Sequence, residues 1–190
     1  AWMIKSFGTA EQRERYLPVM ATGQLRSAYS MTEPDAGSDV QAIRTRAVRD
    51  ADGWAVTGQK MWATNGLRAG MVMLLAKTDA DARPAHRGMT AFIIAKEPGA
   101  AEQPGLIIPP PLRKLGYKDV ESTELLFDGF RAPADAVLGG DAGIGEGFKY
   151  FMAGVELGRV NVAARGVGIA TSAFENAIRY AQERHTFGRP

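Results

Sequence analysis

Apolar positions along the chain change period twice. Between residues 8 and 24, Tyr16, Leu17, Val19 and Met20 gather on one side of a helical pattern. Thr9 stands as its N-cap, Glu11 lies near its start and Gly23 closes it, while Pro18 is expected to shorten or bend it. From about 25 to 130 the pattern becomes β. Short runs rich in β-branched, aromatic or large apolar residues occur at Ser27–Met31, Ile43–Arg49, Trp54–Thr57, Met71–Lys77, Met89–Ala95 and Glu124–Phe127. Asp52-Gly53 reads as a hairpin turn and Thr78–Gly88 as a polar loop. The stretch from Glu97 to Pro111 carries Pro98, Pro104 and the run Pro109-Pro110-Pro111, which predicts a crossing segment and not a central strand.

From about residue 144 the helical period returns. Phe148, Phe151, Val155, Val162, Val167, Ala170, Phe174, Ile178 and Ala181 recur over roughly 40 residues, a helix of about 55–60 Å, a length usual in a bundle. Gly154, Gly158, Gly166 and Gly168 each cost it about 1 kcal/mol against Ala. Four such residues predict close backbone contact, helix on helix or helix on ligand. The expected fold class is therefore α+β: an antiparallel β-sandwich or open barrel flanked by helices, followed by a long C-terminal bundle helix.

Composition narrows the partners. A net charge of +2, from 23 basic and 21 acidic residues without a basic stripe, gives no sign of a nucleic-acid partner. The absence of cysteine removes disulfides, zinc–thiolate sites and Cys nucleophiles, and fits a reducing compartment. No apolar run approaches the ~20 residues of a membrane span, and Lys5, Glu11 and Arg13 break up any signal-peptide pattern. The cluster Gly139–Gly147 has the wrong intervals for a G-x-G-x-x-G dinucleotide loop, so it reads as a loop leading into a helix. His86 and His185 make no metal pair. The chain opens on Ala1 and stops at Pro190 straight after the helical pattern, which reads as part of a longer protein.

Two runs carry the chemistry. Tyr29-Ser30-Met31-Thr32-Glu33-Pro34-Asp35-Ala36-Gly37-Ser38-Asp39 offers the hydroxyls of Thr32 and Ser38, and Gly37 lets a ligand approach the backbone. By itself it reads equally as a strand followed by a turn, and its acidic residues are poorly spaced for calcium. Lys60-Met61-Trp62-Ala63-Thr64-Asn65-Gly66 puts an indole and a hydroxyl on one side of a strand, or else a core Trp before an Asn-Gly turn. At the end of the long helix, Arg184 in Arg184-His185-Thr186-Phe187-Gly188 could grip a pyrophosphate or simply meet the helix dipole.

Taken in order, these segments closely resemble the acyl-CoA dehydrogenase family over nearly the whole chain. Gly8–Arg13 with Tyr16-Leu17-Pro18, Lys114-Leu115-Gly116, Ser122–Leu125, Phe127-Asp128 and Arg159 extend the resemblance. It implies three domains: the end of an N-terminal helical domain (1–24), a central β domain (25–140) and the start of a C-terminal bundle (141–190). It further implies that FAD is held by Tyr29, Met31, Thr32, Gly37, Ser38, Trp62, Ala63 and Thr64, with Arg184, His185 and Thr186 reaching it across a subunit interface. Acyl-CoA would meet Ser38, Glu156 and Arg159. An electron-transfer flavoprotein as acceptor, a homotetramer and a cytoplasmic or mitochondrial-matrix location are implied as well.

The reaction so implied is α,β-dehydrogenation of an acyl-CoA, in β-oxidation or branched-chain catabolism. The catalytic base is not identified in this sequence. The resemblance places the usual Glu beyond residue 190, and the alternative position on the long helix, just before Arg159, is Gly158. Glu156 lies about 200° around the helix from Gly158. These 190 residues alone are therefore expected not to reduce FAD with acyl-CoA. Alternative readings are an acyl-CoA oxidase or monooxygenase of the same fold, or a non-catalytic β-sandwich binding module.

Overall fold

The computed structural model describes residues 1–189, in two compact units, Ala1–Phe151 and the segment from Met152 onward. Among the described residues no helix is long and apolar enough to cross a membrane.

The first unit begins with two helices, α1 (Trp2–Phe7) and α2 (Ala10–Ala21). The apolar start of the chain is thus helical, which its six residues are too few to reveal by periodicity. Thr9 caps α2 as expected: its hydroxyl accepts the Gln12 amide at 3.2 Å while its own amide donates to Gln12 Oε1 at 3.1 Å, a reciprocal capping box. The helix runs through Pro18 and stops one turn later, with Gly23 at φ 77° beyond it.

Gln12 is the tie between this helix and the sheet. Its Nε2 donates to Val137 O at 2.7 Å and Asp135 O at 3.1 Å, and its Oε1 also accepts Gly139 N at 3.0 Å. Replacing it with Leu would leave the buried Val137 carbonyl without its donor and remove the part-buried bonds to Asp135 O and Gly139 N. We expect Gln12→Leu to lower stability by about 2 kcal/mol, read as a shifted urea midpoint with unchanged slope.

The strands are β1 (Ser27–Ser30), β2 (Arg46–Asp50), β3 (Gly53–Thr64), β4 (Met71–Lys77), β5 (Met89–Ala95), β6 (Glu102–Gln103), β7 (Leu106–Ile107) and β8 (Ser122–Ala132). All join one sheet, in the order β1-β4-β2-β3-β8-β7-β6, with β5 on β4. The sheet is antiparallel except for two pairings of β4: β1 pairs with it in parallel from Ser27↔Met71 to Ser30↔Leu74, and β2 adds one parallel pair, Arg46↔Lys77. The β2–β3 hairpin turns over Ala51-Asp52, closed by Asp50↔Gly53. The proline-rich stretch after β5 contributes only the short β6–β7 hairpin at the sheet's edge, as strands with little amide donation must.

Side chains of β3, β4, β5, β7 and β8 build the core. Val56, Val72, Leu74, Phe92, Ile94, Leu106, Leu125 and Phe127 are buried, with Trp54 edge-on to Phe92 at 5.3 Å. Helix α3 (Gly147–Glu183) starts in this unit, where Phe151 is fully buried, and continues through the second. Its 37 residues match the expected length, and along it Val160, Val167, Phe174 and Ile178 are exposed.

Candidate functional site

The ladder between β1 and β4 ends at Ser30. Met31 and Thr32 then take their bonds from the second run: Lys60 Nζ donates to Met31 O at 2.9 Å and Met61 N donates to Thr32 O at 2.8 Å. Two segments about 30 residues apart in sequence therefore lie edge to edge. The chain next folds tightly on itself through paired amide–carbonyl bonds between Glu33 and Ala36, which carry it to Gly37 and Ser38. Both of these are exposed, as is Tyr29 in part, whereas Met31 and Thr32 are half-buried. A Cβ on Gly37 would meet nothing within 4 Å, so the protein's own packing does not require glycine at this position.

The second run is the end of β3, and the strand is longer than the Trp54–Thr57 run legible in the sequence. Its pairing with β8 shifts register between Lys60↔Leu125 and Ala63↔Thr123, where β3 carries one residue more than its partner. Trp62 sits in this bulge at φ 61°, a left-handed conformation that costs a bulky residue about 1–3 kcal/mol. Its indole is 53% exposed, which overturns the core-Trp alternative. Ala63 is buried while Trp62 and Thr64 on either side of it are exposed. Ala63 O accepts a long bond from the buried Thr123 Oγ1 at 3.4 Å, and the turn beyond it is fixed by Asn65 N donating to Glu121 O at 3.2 Å.

Two charged residues that the sequence reading gave no role stand beneath this strip. Lys60 is fully buried, and its Nζ donates to Glu33 Oε1 at 2.9 Å as well as to Met31 O. The Glu33 carboxylate also accepts Thr45 N at 2.9 Å and Arg44 N at 2.6 Å, so the acidic turn spends Glu33 internally and not on a cation. Burial lowers the Lys60 ammonium to about 8, against the pull of the Glu33 charge. Burial opposes ionisation of Glu33 too, but the Lys60 charge and the converging donors outweigh it and hold the carboxyl below its ordinary range. The available signal was phase: two-residue alternation puts Lys60 on the same strand face as Trp54 and Val56, with a Glu in the partner run.

Tyr29 donates its hydroxyl to Phe151 O at 2.9 Å and lies 4.5 Å from the Phe151 ring, and burial raises its phenol well above the usual range. The remaining expected residues belong to the second unit. Glu156 and Arg159 are exposed on α3; Arg184, His185 and Thr186 are exposed after its end, where His185 Nδ1 lies 3.1 Å from Glu183 O. A cleft of about 480 Å³ in the first unit, lined by Glu102, Pro104, Ile107 and Asp128, contains no residue of either run. Gly37, Ser38, Trp62 and Thr64 are exposed and Thr32 is half-buried, with Thr32 joined to the second run through Met61.

Known proteins resemble this chain along its length. The family model for the middle domain of acyl-CoA dehydrogenases matches residues 28–130, and that for their C-terminal domain matches residues 145–190. A (2S)-methylsuccinyl-CoA dehydrogenase of Cereibacter sphaeroides is 39% identical over 195 residues, covering 100% of this chain and 34% of that protein. An acyl-CoA dehydrogenase of Bacillus subtilis is 37% identical, covering 98% and 47%. The crystal structure of the acyl-CoA dehydrogenase from Geobacillus kaustophilus superposes with a TM-score of 0.91 at 36% identity, covering 98% of this chain and 47% of that one. The chain thus spans a third to about half of the length of these relatives. With more than half its residues matched by the middle-domain model and relatives of this identity across its full extent, the chain belongs to the acyl-CoA dehydrogenase family.

Proposed function

We propose that this chain supplies the flavin-facing part of an FAD-dependent enzyme that converts acyl-CoA thioesters to trans-2-enoyl-CoA. The observation that carries the reading is the 2.8 Å bond from Met61 N to Thr32 O, which seats the hydroxyl-bearing run beside the one that bares an indole. In the same reading, residues 1–24 close an N-terminal helical domain, 25–140 form the β domain and 141–190 begin the bundle.

The residues present fit the cofactor. Thr32, Ser38 and Thr64 can donate to polar edges and to pyrophosphate oxygens, and Tyr29, Met31 and Ala63 border the strip. Trp62 can cover one face of a tricyclic ring and keep water from it. The room above Gly37 suits a ligand pressed on the backbone. FAD, when bound, supplies the acceptor for the hydride that leaves the β carbon. Arg184, His185 and Thr186 are assigned to a neighbouring subunit's flavin in a homotetramer, and Ser38, Glu156 and Arg159 to the acyl-CoA. An electron-transfer flavoprotein is the assigned acceptor of the electrons.

The α proton must leave a very weak carbon acid, which calls for a desolvated carboxylate beside a polarised thioester oxygen. Gly158 carries no proton-accepting group, and Glu156 points about 200° away from it around the helix. We therefore assign the base to a carboxylate outside these 190 residues. The test is anaerobic titration of the purified full-length protein with acyl-CoA. It should be yellow and its visible flavin band should bleach, while the 190-residue piece loaded with FAD should not bleach. A colourless full-length protein sinks the reading, and rapid reoxidation of the reduced protein in air would make it an oxidase.

A further inference from the structure

We propose that Lys60, held by Glu33, is a positioning residue that locks the Met31–Thr32 segment to the Met61–Trp62 bulge and so sets the shape of the cofactor strip; this rests on the flavin reading above. Lys60 occupies a fully buried position in β3 that an apolar side chain could fill. Burying an ammonium and a carboxylate is costly, and an apolar pair of similar volume is often as stable or more so. What the ions provide that an apolar pair cannot is direction.

The Lys60 ammonium reaches one carbonyl, Met31 O, immediately after that segment leaves the ladder to β4. Glu33, two residues after Met31, accepts from the same ammonium and is itself fixed by the amides of Arg44 and Thr45. The next residue, Met61, closes the second bond to Thr32, and the one after is the strained, exposed Trp62. The lock thus joins, within three consecutive residues of β3, the hydroxyl-bearing segment to the indole. The exposed ion pair Arg44–Asp35 and the Gln59–Glu124 hydrogen bond lie on the adjacent residues and make no bond to Met31 or Thr32.

The experiment compares Lys60→Met, the double variant Lys60→Met/Glu33→Leu and the wild type in the full-length protein. It reads melting temperature, FAD affinity and amide hydrogen exchange at Met61 in the FAD-free protein. The single variant should melt lower. The double variant strands no charge but leaves the Arg44 and Thr45 amides without Glu33, so it should regain part of the lost melting temperature, bind FAD about tenfold or more weakly, and exchange its Met61 amide about tenfold or more faster. A double variant that recovers both stability and FAD affinity makes the pair a stabiliser only and overturns the proposal. Unchanged Met61 exchange overturns the lock whether or not FAD binds. Faster Met61 exchange in a protein whose wild type takes up no FAD upholds the lock and defeats the flavin reading. Should the single variant not fold, the double variant carries every comparison.

Discussion

Replacing Gly147 with Ala should cost the first unit about 2–3 kcal/mol and weaken FAD binding with it. A Cβ there would lie 2.4 Å from Ala91 N, 2.4 Å from the Thr90 carbonyl carbon and 2.7 Å from Thr90 Cα. These are backbone atoms of β5, and β5 is paired with β4 along its whole length, so the strand has little freedom to withdraw. The first turn of α3 must move instead. Gly145 N, which donates to Thr90 Oγ1 at 2.9 Å, would be drawn along, and so would Phe151 one turn further on. Phe151 is fully buried and its carbonyl holds the Tyr29 hydroxyl, so displacement of the helix start reaches the first residue of the proposed cofactor strip. Denaturant unfolding and FAD titration of the Gly147→Ala full-length protein check this. A wild-type unfolding midpoint would show that the helix start has slack that the contact distances deny.

That glycine illustrates what the sequence could show and what it could not. The cluster from Gly139 to Gly147 is legible as a loop leading into a helix, but nothing in the spacing tells which glycine meets a strand. Strands β4 and β5 were readable to the residue because both of their faces are buried, which makes the runs continuously apolar. β3 and β8 are legible only in part, for the opposite reason. In β3, Gly58 at φ 147° and the bulge at Trp62 interrupt the alternation, and in β8 Asp128-Gly129 does so. The parallel pairing of β1 depends on a partner more than 40 residues away, and no local pattern records it.

The candidate site was legible unevenly, for a related physical reason. Hydroxyls, an indole and a glycine in two short runs are visible as types, and family resemblance gave them an order. The pairing of Lys60 with Glu33 is not legible, because charged residues are by default read as solvated and Glu33 stands in an acidic run. Gln12 is hidden in the same way, although three side-chain hydrogen bonds from it tie α2 to residues 135–139. In each case a buried polar side chain replaces a ladder bond that the backbone lacks locally, and that requirement exists only once the fold has formed.

Glu33→Gln should lower stability by about 3–5 kcal/mol at neutral pH, the cost of stranding a buried charge. The carboxylate accepts from three donors, Lys60 Nζ, Arg44 N and Thr45 N. An amide has one acceptor oxygen and would turn an NH2 group toward one of those donors. The loss should depend on pH with a definite sign. Glu33 has a folded-state pKa below its ordinary 4.5, so its contribution is fully present above that value and is lost as pH falls through the lower, folded value. The wild type should therefore lose stability toward acid more steeply than the variant, and the gap between their unfolding free energies should hold from neutral pH down to about 4.5 and narrow below it. Asp50 is depressed to about 2 by the Arg131 guanidinium and contributes to the same acid limb, but that pair lies at the surface and is identical in both proteins, so it cancels in the difference. Urea unfolding of both full-length proteins from neutral to acid pH measures the gap directly. A gap that stays constant over that range would mean that the Glu33 charge does not hold Lys60, and the stranded-ammonium account of the buried pair would fall.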